Sequence, residues 1–465
     1  MSRPSPTCPR ALSDGPTALV RWSLLPRMVF GLAAVLWVGE RPAASVAAET
    51  AESTTWTVGI GRREITPETP IRLSGFGFRR EESAGVRQRL WAKALAMGTE
   101  AEAPVLIITL DAMAISDQLV QDIVTRVRRA TDIPATHVAV TVTHSHTAPM
   151  LTGVCPTLFG TPIPPEHQTH IDQYTQLLVA RAAEAGISAL RERQPATLAW
   201  GKSRVGFARN RRTAEGPVDH DLPVLLVRNA KGAVVAVYTS YACHCVTLSD
   251  NQVSGDWAGY AQEHLERLFP GAVGLVSVGC GADSNPSSGV TGDKAEVASA
   301  QGLEIAEAAL RLSEGPLRPV TGPVRVHSER LSLPFDRLPT REEWEARGAR
   351  EDAVGYHARY QLAKLDRGES LPTTLEYPVQ TMAFGDSLAM VFLSGEVVVD
   401  YALRLKREND SRRLWTNGYS NGVAGYIPSE RILREGGYEG GGAIQTIVWS
   451  ERRQLPPLWH KSRAD

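Results

Sequence analysis

Hydrophobic positions along the chain change period many times. WTVGIG, from Trp56 to Gly61, alternates as a strand does. APVLIITLDA, residues 103–112, is a continuous apolar run of buried-strand length that stops at Asp111. Residues 116–130 return to helical spacing, and HVAVTVTHSH, 137–146, alternates again. A helix is predicted over 168–193. The stretches ATLAWGKSRVG, LPVLLVRN and AVVAVYTSYACH follow as three strands. WAGYAQEHLERLF reads as a helix, GAVGLVSVG as a buried strand, and KAEVASAQGLEIAEAALRL as a long helix after Gly292. Residues 340–366 form one charged helical stretch with the pattern of a solvated face. MAFGDSLAMVFL predicts a hairpin turning on Gly-Asp, followed by a helix over 397–408, the strand-like RLWTNG, and a Gly- and Tyr-rich loop from 419. Strands alternate with helices and no Pro/Gly/Ser linker interrupts them. The pattern therefore predicts an α/β fold, with mixed β-sheets flanked by helices in one large domain over residues 49–465.

The first 48 residues do not fit that alternation. Arg21 and Arg27 precede the apolar run MVFGLAAVLWVG, and small residues follow in RPAASVAAE. Basic, apolar and small regions in this order predict a secretory leader cut near Ala47 or Ala48. An uncleaved anchor is the other reading. The apolar run is about 12 residues, short of the roughly 20 that a spanning helix needs. Export places the mature protein in the periplasm or outside the cell.

Composition narrows the function by exclusion. Across 465 residues, 50 basic and 51 acidic side chains leave a formal charge of −1, and aromatics are only 6%. Neither a basic footprint nor stacking platforms point to nucleic acid. Five cysteines, one of them in the leader, are too few for a disulfide scaffold. Cys243 and Cys245 lack the spacing of a structural zinc site. They read as small buried residues or as a disulfide candidate with Cys280, and Cys155 is the fourth cysteine of the mature chain.

Four places carry candidate chemistry. His144 and His146 close an alternating run, so in a strand they share one face. Metal ligation, acid–base work and an ordinary strand end all remain open there. His244 ends the strand AVVAVYTSYA, and open α/β sheets place ligands at strand ends. SVGCGADSNP delivers a loop with free amides, in which Asp283 and Ser284 are candidates for acid, base or nucleophile. Glu396 ends an apolar strand and starts a helix, where it serves as a cap or as a hard oxygen ligand beside histidines.

Taken in order, REITP, THSHTAP, ARNRRTAEGPVD, YACHCVTLSDNQVSGDWAGYA, VGCGADSNP, LSGEV, and GYSNGVAGYIPSE followed by GGYEGG resemble the neutral, non-lysosomal ceramidase family in its catalytic domain. The resemblance implies a zinc hydrolase of an N-acyl (amide) bond, splitting an N-acylsphingosine into sphingosine and a fatty acid. It implies zinc ligands at His144, His244, Glu396 and Tyr426, and catalytic roles for Ser284, His146 and Tyr438. It also implies substrate contacts at Asn210, Arg211 and Asp283. Tyr438 keeps the family's spacing of twelve residues beyond the ligand tyrosine. The serine loop departs from the family's Gly-Asp-x-Ser-Pro-Asn, reading Gly281-Ala282-Asp283-Ser284-Asn285-Pro286. With the chain ending at Asp465, the family's C-terminal immunoglobulin-like domain is expected to be absent. A small-molecule or lipid N-acyl substrate follows, with room for peripheral contact with membrane lipid. The alternatives are a related secreted zinc hydrolase of another amide, ester or glycosidic substrate, and a non-catalytic secreted metal-binding protein.

Overall fold

Residues 56–442, apart from 100 and 336, are described by the computed structural model. The leader expected over 1–48 lies outside them. Eight strands make the main path of one mixed sheet: β1 Trp56–Glu64, β2 Trp91–Gly98, β3 Val105–Leu110, β4 Val138–Val142, β5 Gln194–Arg204, β6 Asp221–Asn229, β7 Val234–Tyr241 and β8 Val273–Val278. Their spatial order is β8-β7-β6-β5-β1-β2-β3-β4, and the short Arg318–Pro319 also pairs with β5. The middle of the sheet is antiparallel, whereas the end pairs β3/β4 and β7/β8 are parallel. Parallel neighbours need a crossover. Helices α1 Asp117–Ala130 and α3 Asp256–Leu268 supply the two crossovers.

Alternation along β3 shows how a continuous apolar run serves two cores. Leu106, Ile108 and Leu110 pack with α1, α3, α2 Pro165–Arg191 and α4 Ala295–Ser313. Val105 and Ile107 face the other way, onto a second sheet. That sheet has the order β9 Val324–Pro334, β10 Thr374–Phe384, β11 Leu388–Leu393, β12 Leu414–Asn417. It contributes Met382, Phe384, Met390, Phe392 and Trp415 to the shared core. The result is three layers, helices over sheet over sheet, as expected for an α/β fold with mixed sheets.

One contact sets how closely α2 lies on the main sheet. Gly59 and Gly61 sit two apart on β1 and so share a face. A Cβ at Gly59 would stand 1.9 Å from the carbonyl oxygen of Ala189, and one at Gly61 would stand 1.9 Å from that of Ala185. Ala185 and Ala189 are one helical turn apart, so two glycines on the strand receive two alanines on the helix.

Several elements differ from the sequence expectation. β2 and β9 are absent from the predicted set. WAKALAMG holds no β-branched residue and is interrupted by Lys93. In the fold, Lys93 Nζ is buried against Glu266 Oε1 at 2.8 Å and the Gly274 carbonyl at 2.7 Å. The charged stretch 340–366 is two helices, α5 Arg341–Gly348 and α6 Ala353–Asp366. Each has its own N-cap. Thr340 and Glu343 form a capping box, and Asp352 accepts from Gly355 N–H. The hairpin at Gly385-Asp386 forms as expected between β10 and β11. The helix expected over 397–408 begins at Val399 as α7 Val399–Glu408. The loop expected from 419 contains a bridge strand at Tyr426–Ile427 and the helix Glu430–Glu435. Among the described residues no helix is long and apolar enough to cross a membrane.

Candidate metal centre and active site

The site grows from strand ends, but the strands stop earlier than the sequence predicts. β4 ends at Val142, and His144 takes a left-handed backbone conformation with φ 56°. Sharing a strand face therefore does not explain how His144 and His146 come together. Similarly, β7 ends at Tyr241, three residues before His244. The two loops are joined to each other instead. Ser145 and Cys245 form an isolated parallel bridge, and His146 N–H donates to the Cys245 carbonyl at 3.0 Å. Trp257, from α3, donates its indole N–H to the His244 carbonyl at 2.9 Å. Cys243 and Cys245 pack in the helical core while Cys280 packs in a cluster beneath α7. The disulfide considered from the sequence is therefore not formed, and all four described cysteines are free.

Ring nitrogens of His144, His146 and His244 lie within 4.8 Å of one another. His144 Nδ1 is 2.6 Å from the Met113 carbonyl, and His244 Nδ1 is 2.9 Å from the Gly281 carbonyl. A carbonyl only accepts, so both Nδ1 atoms carry the proton and both Nε2 atoms of the neutral rings present lone pairs. These lone pairs meet Glu396 Oε2, at 3.3 Å from His144 Nε2 and 3.2 Å from His244 Nε2. Burial, with the positive charge of Arg211, pushes the His244 imidazolium down to about 4. Burial alone would raise the Glu396 carboxyl, but a proton on His144 or His244 beside it lowers it well below the usual carboxylate range, so any proton in the cluster sits on an imidazole and Glu396 stays ionised. Three acceptors thus converge; His146 Nε2 reaches only His144 Nε2, at 3.2 Å, and His244 Nε2 and Glu396 Oε2 are buried without a hydrogen-bond partner among the described residues. Such a set is satisfied by a cation. Two imidazoles and a carboxylate oxygen suit a divalent metal.

Glu396 does not cap a helix, as one sequence reading had it. It forms a two-residue parallel bridge with Tyr426–Ile427, and α7 starts three residues later. The first amide of α7, that of Val399, is instead taken by Asp283 Oδ1 at 2.8 Å. The other Asp283 oxygen accepts from Asn210 Nδ2 at 3.2 Å, and Asn210 Oδ1 accepts from the amides of Arg212 and Thr213. Asn210 and Asp283, expected to touch substrate, therefore bind protein and hold the loop that carries Arg211.

Arg211 is fixed at both ends of its guanidinium. Nε pairs with Glu439 Oε1 at 2.7 Å, and an Nη atom donates to the Tyr426 hydroxyl at 3.0 Å. The Tyr426 and Tyr438 rings meet edge to face, with centroids 5.5 Å apart, and Tyr438 is 58% exposed at the rim. Ser284 is fully buried, and its hydroxyl has no partner among the described residues. Its carbonyl receives the His244 N–H at 2.9 Å, so it adjoins the cluster through the backbone.

Sequence reasoning missed several residues here. Tyr419 has φ 49° and lies between the two edges of the main sheet. Its carbonyl accepts from Val142 N–H, and the neighbouring Gly418 N–H donates to Val278. Its ring lies against His144 at a centroid distance of 4.4 Å, and its hydroxyl is buried and unpartnered. Glu439, which anchors Arg211 and Arg212, was visible only as part of GGYEGG. Gly75, Phe76 and Arg79 wrap His146. A Cβ at Gly75 would be 2.4 Å from the imidazole, the Phe76 ring is 5.1 Å away, and Arg79 donates to the His146 carbonyl at 2.6 Å. The signal in SGFGFRR was its paired glycines and aromatics, which without the fold read as an ordinary turn.

Comparison with known proteins follows this geometry. No curated protein sequence matches the chain. Among solved structures, it resembles a ceramidase complexed with C2, at TM-score 0.66 and 17% identity, over 84% of this chain and 72% of that one. It also resembles the neutral ceramidase from Pseudomonas aeruginosa, at TM-score 0.65 and 18% identity, over 84% and 71% of the two chains. At that identity the likeness establishes the shared fold. A profile of the neutral/alkaline non-lysosomal ceramidase N-terminal family matches residues 56–277, which carry His144, His146, Arg211 and His244. Through those residues, the region 56–277 belongs to the neutral/alkaline non-lysosomal ceramidase family.

Proposed function

We propose that this protein is a zinc-dependent hydrolase of N-acyl amide bonds, acting on an N-acylsphingosine to release sphingosine and a fatty acid. The observation that carries the proposal is the convergence of His144 Nε2, His244 Nε2 and Glu396 Oε2, of which His244 Nε2 and Glu396 Oε2 have no hydrogen-bond partner among the described residues. Tyr426, cross-strand partner of Glu396, is the fourth ligand in this reading. Bound there, zinc supplies a Lewis acid for the amide carbonyl and lowers the pKa of water.

The chain's own groups divide the remaining work. His146 differs from the other two histidines: its Nε2 lies 3.2 Å from the His144 Nε2 lone pair and donates to it, which leaves its buried Nδ1 as a lone pair with no partner among the described residues. Burial and the neighbouring His144 and His244 keep it neutral, which suits a base that takes a proton from the attacking water and passes it to the departing amine. Arg211, held by Glu439, keeps a fixed positive charge beside Tyr426, and Tyr438 offers a phenol O–H at the rim to the developing oxyanion. Ser284 brings an unpartnered hydroxyl that hydrogen-bonds the substrate. The test is metal analysis of the purified protein together with hydrolysis of a short-chain N-acylsphingosine. A metal-free preparation that stays metal-free and inactive in added zinc overturns the reading.

Tyr419 supplies a separate check. Its hydroxyl bonds nothing among the described residues, so Tyr419→Phe removes no hydrogen bond seen among them. Its melting temperature is expected to equal or slightly exceed the wild-type value, while turnover falls about tenfold because a non-protein partner of the hydroxyl is lost. A variant that loses stability along with activity would make Tyr419 a packing residue only.

We also propose export by the 1–48 leader, with the mature chain meeting its lipid substrate at the periphery of a membrane. Mass analysis of the protein from the periplasm or medium is expected to place the new N-terminus near Ala47 or Ala48. A full-length chain confined to the cytoplasm contradicts it.

A further inference from the structure

A second recess adjoins the metal centre and shares Arg211 with it. A two-stranded ribbon pairs Ala208–Asn210 with Ser284–Pro286, with Ser284 opposite Asn210 at the inner end and Pro286 opposite Ala208 at the outer end. At about 3.3 Å per residue, the ribbon and the next residue carry the chain roughly 10 Å from Ser284 to Ser287. Along this ribbon lies a cavity of ≈ 280 Å³ lined by Arg209, Arg211, Arg212, Asn285 and Ser287 among others, with three arginines and no carboxylate in its lining. Glu439 stands behind it, pairing with Arg211 and Arg212, and the half-exposed Glu435 takes a second Arg212 contact. Arg209 has no such partner. Its one hydrogen bond is an Nη contact to the Ser287 carbonyl at 3.2 Å, and no carboxylate pairs with it among the described residues. Arg212 Nε is buried without an acceptor among the described residues. The recess therefore presents the unmatched Arg209 guanidinium beside the paired Arg211 and Arg212, next to the cluster assigned to amide cleavage.

We infer that this recess is an oxyanion subsite that lets the site take, beside the neutral N-acylsphingosine, substrates whose amine portion carries a carboxylate or phosphate and bind them more tightly, with Arg209 as its specificity-determining residue. The inference rests on the amide-hydrolase reading for where the scissile bond sits. The chemical reason for the anion is independent of it, because guanidinium groups bind carboxylate and phosphate by paired, charge-assisted hydrogen bonds. A neutral amino-alcohol portion leaves the Arg209 donors to solvent, whereas an acidic one pairs with them at the end of the ribbon.

The test uses the full chain with its metal and two probes whose sulfonamide resists hydrolysis: N-dodecylsulfonylglycine, and its neutral counterpart built on ethanolamine. Calorimetric titration is expected to show the acidic probe binding about tenfold tighter than the neutral one, as one charge-assisted contact in a partly buried site provides. Raising the salt concentration should narrow that gap. Arg209→Gln, an exposed position whose replacement leaves the fold intact, is expected to close it. Equal binding of the two probes by the wild type overturns the inference, and so does a gap that Arg209→Gln leaves unchanged. If the acidic preference holds while N-acylsphingosine is not hydrolysed, the subsite stands and the sphingolipid reading falls.

Discussion

Replacing His244 with alanine is expected to remove the bound metal and lower hydrolysis by about 10³-fold or more. The size follows from the several kcal/mol that a metal contributes to carbonyl polarisation, at 1.36 kcal/mol per factor of ten. The geometry makes a second, less obvious demand. In the metal-free chain the His244 and Glu396 acceptors face each other at 3.2 Å, an arrangement that repels unless a cation lies between them. Chelation should therefore lower the melting temperature of the wild type, because any ligand that binds only the folded state stabilises it. In His244→Ala the pair no longer exists, so chelation should leave the melting temperature where it was. Elemental analysis, turnover and a thermal melt with and without chelator read the three outcomes. A variant that keeps stoichiometric metal and wild-type turnover would sink the assignment.

The largest expected loss of stability comes from a position with no chemistry. Gly61→Ala places a Cβ 1.9 Å from the Ala185 carbonyl oxygen, and the obstacle is helix backbone rather than a side chain that can rotate away. Either α2 lifts from β1 or the sheet bends. Overpacking of this kind costs about 3 kcal/mol or more, a large share of the ~5–15 kcal/mol that holds a domain together. Denaturant unfolding or soluble yield measures it. Gly85→Ala is the control, since nothing lies within 4 Å of a Cβ there, and its effect is expected to stay within about 0.5 kcal/mol. A Gly61→Ala protein as stable as the control would mean that the strand and helix do not pack this closely.

Much of this was legible beforehand, for identifiable reasons. Hydrophobic period located β3, α1, α2, α3, α4 and the β10–β11 hairpin, because each buries a face whose spacing is written in the chain. It missed β2, where Lys93 interrupts an alanine-rich strand, since the pairing of Lys93 with Glu266 and Gly274 is made by residues more than 170 positions away. The order of motifs brought His144, His244, Glu396 and Tyr426 into one expected set. No periodicity marked Tyr419, whose place in the site depends on its lying between two sheet edges that are distant in sequence.

Roles divided along the same line. The sequence by itself determined the α/β class, the residue types of the candidate metal centre and the family motifs, because periodicity and residue chemistry are local properties. The tertiary structure alone decided that Asp283 and Asn210 hold a loop, that His144 reaches the centre from a left-handed turn, and that Cys243 and Cys280 lie in different cores. Each of these depends on which donor meets which acceptor across the fold. A chain of residues does not carry that information until the sheets and helices have placed their ends together.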